Sequence, residues 1–527
     1  MKTYLKFSEK MKKIFNYFSI FTIATGSIFG TMNAANANDV LSGDSASGPG
    51  TLVTGVADTA LAVDGSETLS MLTHAATLTQ ADAAAAQIFG AISGTTGKLT
   101  LTSAQETAAA SQTIASYTGT DSDIAIITAG DQNHTVIFTG AVTTGAVTGT
   151  IVIDGDAGNA TATLVQVGGN LTGVVTLDDN SGAVTLEMTG DSTTLGQTVN
   201  GVGDGEGILK LSGTGTTVSS AIGKTGTNSL AAIDVNGTAT FDGASEATAY
   251  TVDADTTFTG AVLANTSFTV DTAGTDVTLS AASDLSLATV TLGTLTANGL
   301  LTTSDLVNTA GKVYLNVKDN EMGAGKITLG SGAELHVGKA LVSEDTILLM
   351  DDSAGEGDFN AAAKIYMPSN LTSGETLTIT DAGAFDQGDA SKTAVTTAAR
   401  IDAILQDTAL VNYSASAASA GATDITITAT DRTNAAIATQ LGTSDNNVTA
   451  ALQLMAAMDS NDTTGDTGAF TAFDNALKAQ GGLSATEDTS FINQTAPQTD
   501  LISGSTFATQ AMTGSLQGIM SNRMAAL

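Results

Sequence analysis

The chain has no cysteine, no tryptophan and only 3 prolines, and aromatic residues make up 4% of its 527 positions. Without cysteine there are no disulfides, no zinc–thiolate sites and no thiol nucleophile. Scarce aromatics remove the large side chains that dominate compact cores, which disfavours a large α/β enzyme. Charge is scarce too, at 13% of residues, against about 25% in ordinary soluble domains. What charge there is has one dominant sign: 18 Lys and Arg face 53 Asp and Glu, for a net −35. Such a chain repels phosphate backbones, so no nucleic-acid partner is expected.

Threonine fills about one position in six and glycine 57 positions, while 42% of residues are hydrophobic. That apolar content is incompatible with disorder along the whole chain. Its length admits about three domains or one long repetitive one. Residues 1–37 read as a signal peptide. Lys2, Lys6, Lys10, Lys12 and Lys13 form a basic start, Ile14 to Phe29 is mostly apolar, and Ala35-Asn36-Ala37 is an A-x-A cleavage site before Asn38. The leader holds five Lys and one Glu, so the remainder is more acidic still, at −39 with 13 basic against 52 acidic residues. No later stretch approaches the ~18 consecutive apolar residues of a membrane helix.

Residues 38–118 form an Ala/Thr-rich N-terminal region, read as a mixed cap. Ala83–Ala86 and Ala108–Ala110 favour short helices, whereas Lys98-Leu99-Thr100-Leu101-Thr102 alternates like a strand. From 119 to 430, short alternating runs recur between Gly, Asp and Asn clusters, as in Thr135–Phe138, Val174–Leu177, Val184–Leu186, Thr376–Thr380 and Ile425–Thr428. Phe-Thr-Gly-Ala-Val occurs at 138–142 and at 258–262, a separation that fits six coils of about 20 residues. A coil this small cannot bury its own apolar face; stacking coils buries a continuous column. The expected fold is therefore mostly β, a right-handed parallel β-helix (solenoid) without helices in this region, with a set of β-sandwiches as the competing architecture. Residues 431–527 turn helical: Asp431-Arg432-Thr433 opens a helix to Leu441, Asn447 caps a second with Val448, Leu452 and Met455 on one face, Phe473, Leu477 and Gln480 mark a third, and 503–525 form the last.

This order resembles the passenger region of a bacterial autotransporter, and in particular that of rickettsial-type outer-membrane surface antigens. The segments that carry the resemblance are Gly203–Leu209 with Leu211–Gly215, Leu230–Gly237 with Ala239–Phe241, and the run from Asn412-Tyr413 through Ile425–Thr428 and Asp431-Arg432 to Ser521-Asn522-Arg523-Met524. The resemblance implies export to the cell surface or outer membrane of a Gram-negative bacterium, or secretion, and a role as adhesin or surface-coat component. Residues 431–527 would then be a helical linker leading into a translocator barrel. Leu527 stands where that barrel would begin, so the outer-membrane translocator barrel is expected on another chain or lost. A host-cell or cell-surface ligand is the other implied partner. A lattice subunit like those of S-layers is the alternative, and a surface esterase the third reading.

Candidate chemistry is thin. Gly43-Asp44-Ser45-Ala46-Ser47-Gly48 superficially resembles the start of a GDSL-type esterase, and Asp131-Gln132-Asn133-His134 has that family's D-x-x-H spacing. The α/β blocks that should separate them are missing, and no His precedes Ser45 in the order a chymotrypsin-like triad needs. His74, His134 and His336 have no metal-ligand spacing. Asp154-Gly155-Asp156 and Asp178-Asp179-Asn180 offer oxygens to Ca²⁺, yet neither completes an EF-hand, and Asp and Asn favour turns. Gly201-Val202-Gly203-Asp204-Gly205 lacks the strand–helix context of a nucleotide loop. The expectation is a non-enzyme with no catalytic, cofactor-binding or metal residue and no cofactor.

Overall fold

The structure is a computed structural model that describes most of residues 87–449, the strands at 50–54, 69–70 and 76–80, and isolated helical residues at 453, 516 and 518–520. The described part is mostly β, dominated by one large parallel sheet with few helices. Alternation explains the strands. Leu99–Ser103, His134–Phe138 and Thr163–Val167 each bury every second residue and turn Thr100 and Thr102, Thr135 and Ile137, and Leu164 and Gln166 outward, which is the period of a pleated strand with one covered face.

The pairings form three parallel ladders, visited in a fixed order. In the first, Leu99–Ser103 pairs with Ile124–Thr128, which pairs with Thr150–Asp154 and then Val174–Asp178. The second joins His134–Phe138 to Thr163–Val167, Val184–Met188 and Ile208–Leu211. The third joins Val142–Thr143 to Leu171–Thr172 and proceeds through Thr216–Val218, Ala239–Phe241 and Thr256–Phe258. Along the chain, Ile124–Thr128, His134–Phe138 and Val142–Thr143 belong to ladders one, two and three, and Thr150–Asp154 returns to the first. Farther on, single strands span two ladders: Ser245–Val252 pairs with Val262–Val270 through a register shift between Ala247 and Ala249.

Inward residues of successive rungs touch like with like. In the third ladder the column runs Val142, Leu171, Leu195, Val218, Phe241, Phe258, Leu279, Ala297, Leu315 and Val337, all buried. Column packing explains how a chain so poor in aromatics keeps water out. Each Val or Leu is covered above and below by its counterpart one rung, about 4.8 Å, away. The few large rings are grouped, with Phe241 stacked on Phe258 at 4.6 Å and Tyr250 against Phe268 at 5.4 Å.

The corners carry the Asp and Asn residues, and they bond from rung to rung. Asp123 Oδ1 accepts from the Thr150 N–H, Asn170 Oδ1 from Thr194, Asp191 Oδ1 from Thr214 and Asp255 Oδ1 from Asp276, each at 2.9 Å. These are donors that the ladder leaves unpaired at the first residue of a strand (Thr150, Thr194, Asp276) or just before it (Thr214). The middle of the pentapeptide, Thr-Gly-Ala at 139–141 and 259–261, is a corner without Asp or Asn, between two strands. A Cβ on Gly140 would lie 2.7 Å from the Ala115 carbonyl oxygen, and one on Gly260 2.4 Å from the Gly243 carbonyl.

Several expectations need correction. The two pentapeptides are not six equivalent coils apart. Phe138 pairs with Val167 in the second ladder, while Phe258 pairs with Phe241 in the third. Nor is the step constant: Val142 to Leu171 is 29 residues and Phe241 to Phe258 is 17. Ala110 opens the strand Ala110–Gly119 instead of closing a helix, because pairing with His134–Phe138 overrides alanine's helix propensity. The helix expected at Ala83–Ala86 lies outside the described residues. A helix was not expected before 431, yet α1 spans Ala394–Ile404. Thr393 and Thr396 close a capping box at its start, and it buries Ala398, Ile401 and Ile404.

The antiparallel pairs that sandwiches would need are confined to the end of the described ladders, where Ile425–Asp431 lies between Thr376–Thr380 and Val411–Ser416. Asp431 therefore ends a strand. The helix α2 begins later, at Asn434–Leu441, with the Thr433 hydroxyl accepting the Ala436 N–H. The following helical turn starts at Asp445, where the Val448 N–H donates to the Ser444 carbonyl, ahead of the cap expected at Asn447. Leu516, Gly518, Ile519 and Met520 are helical, as expected for the last segment, while the third helix lies outside the described residues.

Candidate functional site

His134, half of the esterase spacing, is a core residue with no exposed surface. It points inward from the second ladder. The Gln112 amide donates to the Leu78 carbonyl at 3.2 Å and turns its oxygen to His134 Nε2 at 3.0 Å. That orientation assigns the ring proton to Nε2, since an amide oxygen only accepts. Nδ1 is buried without a hydrogen bond. Burial pushes the imidazole down to about 4, the nearby Ile127 backbone opposing in part. The ring is thus neutral at pH 7 and closed to substrate. Its depressed value makes a linkage prediction. The unfolded chain takes up a proton near pH 6.5 and the folded chain only near pH 4, so stability present above pH 6.5 falls as pH drops through that window, by about 3 kcal/mol. Denaturant titrations of wild type and His134→Gln should show the gap between them closing by that amount from pH 7 to pH 4; a constant gap would contradict the assignment.

The other candidates fall differently. Ser45 and His74 lie outside the described residues. The two oxygen-rich segments, read separately in sequence, meet: Asp154 pairs in register with Asp178 on neighbouring rungs of the first ladder. Among the described residues no group of three or more His, Cys, Asp or Glu is placed to hold a metal ion. The glycine-rich loop at 201–207 spends its carboxylates on local N–H groups. Glu206 accepts from Gly203 at 2.7 Å and Asp204 from Ser229 at 3.2 Å. A phosphate cradle needs those amides free.

His336 belongs to a surface feature that sequence reasoning missed. On the outer face of the third ladder, Lys312-Val313-Tyr314, Glu334-Leu335-His336 and Lys364-Ile365-Tyr366 sit on successive rungs in register. Tyr314, His336 and Tyr366 form a continuous stack with centroid spacings of 4.2 and 4.4 Å. In the adjoining column Glu334 lies between two lysines and accepts from Lys312 at 3.3 Å and from His336 at 3.0 Å. Hydrogen bonds from both hold its carboxyl below the usual carboxylate range against the effect of burial. The column of the three rings continues upstream as Thr296, Thr278, Thr257, Thr240 and Thr217. A shallow groove of about 340 Å³ lies along it, between Thr238, Thr240, Asp255, Thr257, Asp276 and Thr278. The signal available in sequence was the pattern Lys-x-Tyr, Glu-x-His, Lys-x-Tyr, but its unequal spacing hid it.

No family model matches the chain, and neither do any curated protein or solved structure. No helix among the described residues is long and apolar enough to cross a membrane.

Proposed function

We propose that the chain is an exported cell-surface protein, an autotransporter-type passenger folded as a right-handed parallel β-helix, and that it acts as an adhesin or coat component and not as an enzyme. The observation that carries this reading is the recurring order of the three ladders, with in-register columns from Leu99 to Leu329. Such stacking gives an elongated body whose outer faces repeat at every rung. The basic start, apolar run and A-x-A site at 35–37 supply the export signal. An outer-membrane translocator barrel is the partner this reading implies.

Expression of the full chain in a Gram-negative host tests it. The expected outcome is a product beginning at Asn38 that external protease removes from intact cells or that collects in the medium. Electron microscopy of those cells should show separate projections; a periodic array would favour the lattice reading. Cytoplasmic retention with residues 1–37 still attached would overturn export.

A further inference from the structure

We propose that the Lys312/Tyr314, Glu334/His336 and Lys364/Tyr366 rungs on the outer face of the third ladder form a binding site for an acidic polysaccharide. This rests on the surface reading above and names the partner class of that surface. Charge complementarity is the first argument. On a chain of net charge −35, two lysines stand in one column two rungs apart. The carboxylate between them is already engaged by Lys312 and His336. The Lys312 side chain remains 51% exposed, and Lys364 is exposed. The patch thus keeps a local excess of positive charge within about one Debye length, which suits an anion.

Form is the second argument. Stacked rings cover one another's faces, and Thr296 and Gln406 adjoin the two ends of the stack in register. The site therefore offers ring edges, phenol hydroxyls and ammonium groups, which recognise hydroxyl and carboxylate or sulfate oxygens. Donors stand on the outer two of the three rungs, the Lys312 ammonium with the Tyr314 hydroxyl and the Lys364 ammonium with the Tyr366 hydroxyl, two rung spacings of roughly 4.8 Å apart. A protein partner fits less well, because protein interfaces centre on a buried apolar core. The exposed large hydrophobics Ile88, Val202, Leu292, Val342 and Val395 all lie outside these columns.

The test uses the full chain and three polymers at 0.15 M salt: dextran sulfate, polygalacturonate and uncharged dextran. Binding to both anionic polymers is expected, at least about tenfold tighter than to dextran, and about tenfold weaker in Lys312→Gln/Lys364→Gln. Lys364→Gln alone, which breaks no ion pair, should weaken binding in the same direction with an unchanged circular dichroism spectrum. Lys98→Gln, remote from the face, should bind as wild type. Equal binding by wild type and the double variant, or no preference for the anionic polymers, would overturn the proposal. So would concentration-dependent association of the chain that the double variant abolishes, since the occupant would then be a second copy. Binding in solution does not depend on export: a chain that binds but stays in the cytoplasm refutes only the surface reading, and an exported chain that does not bind refutes only this one.

Discussion

Ile427→Asp should cost on the order of 3–5 kcal/mol of stability, whereas Thr426→Asp one position away should cost less than about 1. Ile427 is buried in the middle strand of the antiparallel group, level with Leu377 on one side and Ala415 on the other. Leu377 is equally buried. An aspartate at 427 would meet no cation there, and an unpaired buried charge is either strongly penalised or forced to protonate. Thr426 faces the other way and is half-buried. Chemical denaturation of the two variants at pH 7 separates them. Equal losses would mean that the strand's two faces are wrongly assigned.

Phe258→Ala should be the most damaging truncation in the core, at about 3–5 kcal/mol. Phe258 stacks on Phe241 at 4.6 Å and meets Tyr250 and Phe268 edge-on at 6.1 and 6.0 Å. It belongs to the third ladder, and Tyr250 and Phe268 to the second. The four rings therefore tie two faces of neighbouring rungs together. Removing the middle one leaves a cavity that the flanking valines and leucines cannot fill without moving the strands. Because stacked rungs contact mainly their neighbours, the loss should be local. Amide exchange should quicken first between residues 239 and 270, with rungs near Leu101 and Ile126 protected as in wild type. Uniform loss of protection would show the stack to unfold as one unit. Leu292→Ala, at an exposed corner position, should fall within about 0.5 kcal/mol of wild type.

Much of the strand content was legible because alternation is a local signal. Leu99, Leu101, Leu377, Ile379, Ile425 and Ile427 all point inward, as their spacing says. Register was not legible. It depends on which rung lies next, and corners of unequal length carry no count of that. Hence Phe138 and Phe258 looked equivalent and are not, and Asp154 and Asp178 looked separate and are neighbours. The helix α1 was legible but unread: Thr393 and Thr396 give the cap, and Ala398, Ile401 and Ile404 the buried residues. His134 shows the converse error. A motif spacing suggested chemistry, while its period-2 relation to Val136 and Phe138 already placed it on the buried side.

The unequal steps between rungs separate two tasks that most folds combine. From one buried rung residue to its partner on the next the chain spends as few as 17 residues, from Phe241 to Phe258, or as many as 40, from Ile365 to Leu405, yet the inward side chains stay paired. The surplus is carried at the corners, and doubling a loop costs only about 0.6 kcal/mol in closure entropy. Segments spliced into a corner should therefore be accepted where a single residue inserted into a face would turn the inward residues beyond it to the outside. The body can act as a mount on which corner segments are exchanged and lengthened independently of one another, while the columns beneath them change only by substitutions of similar volume.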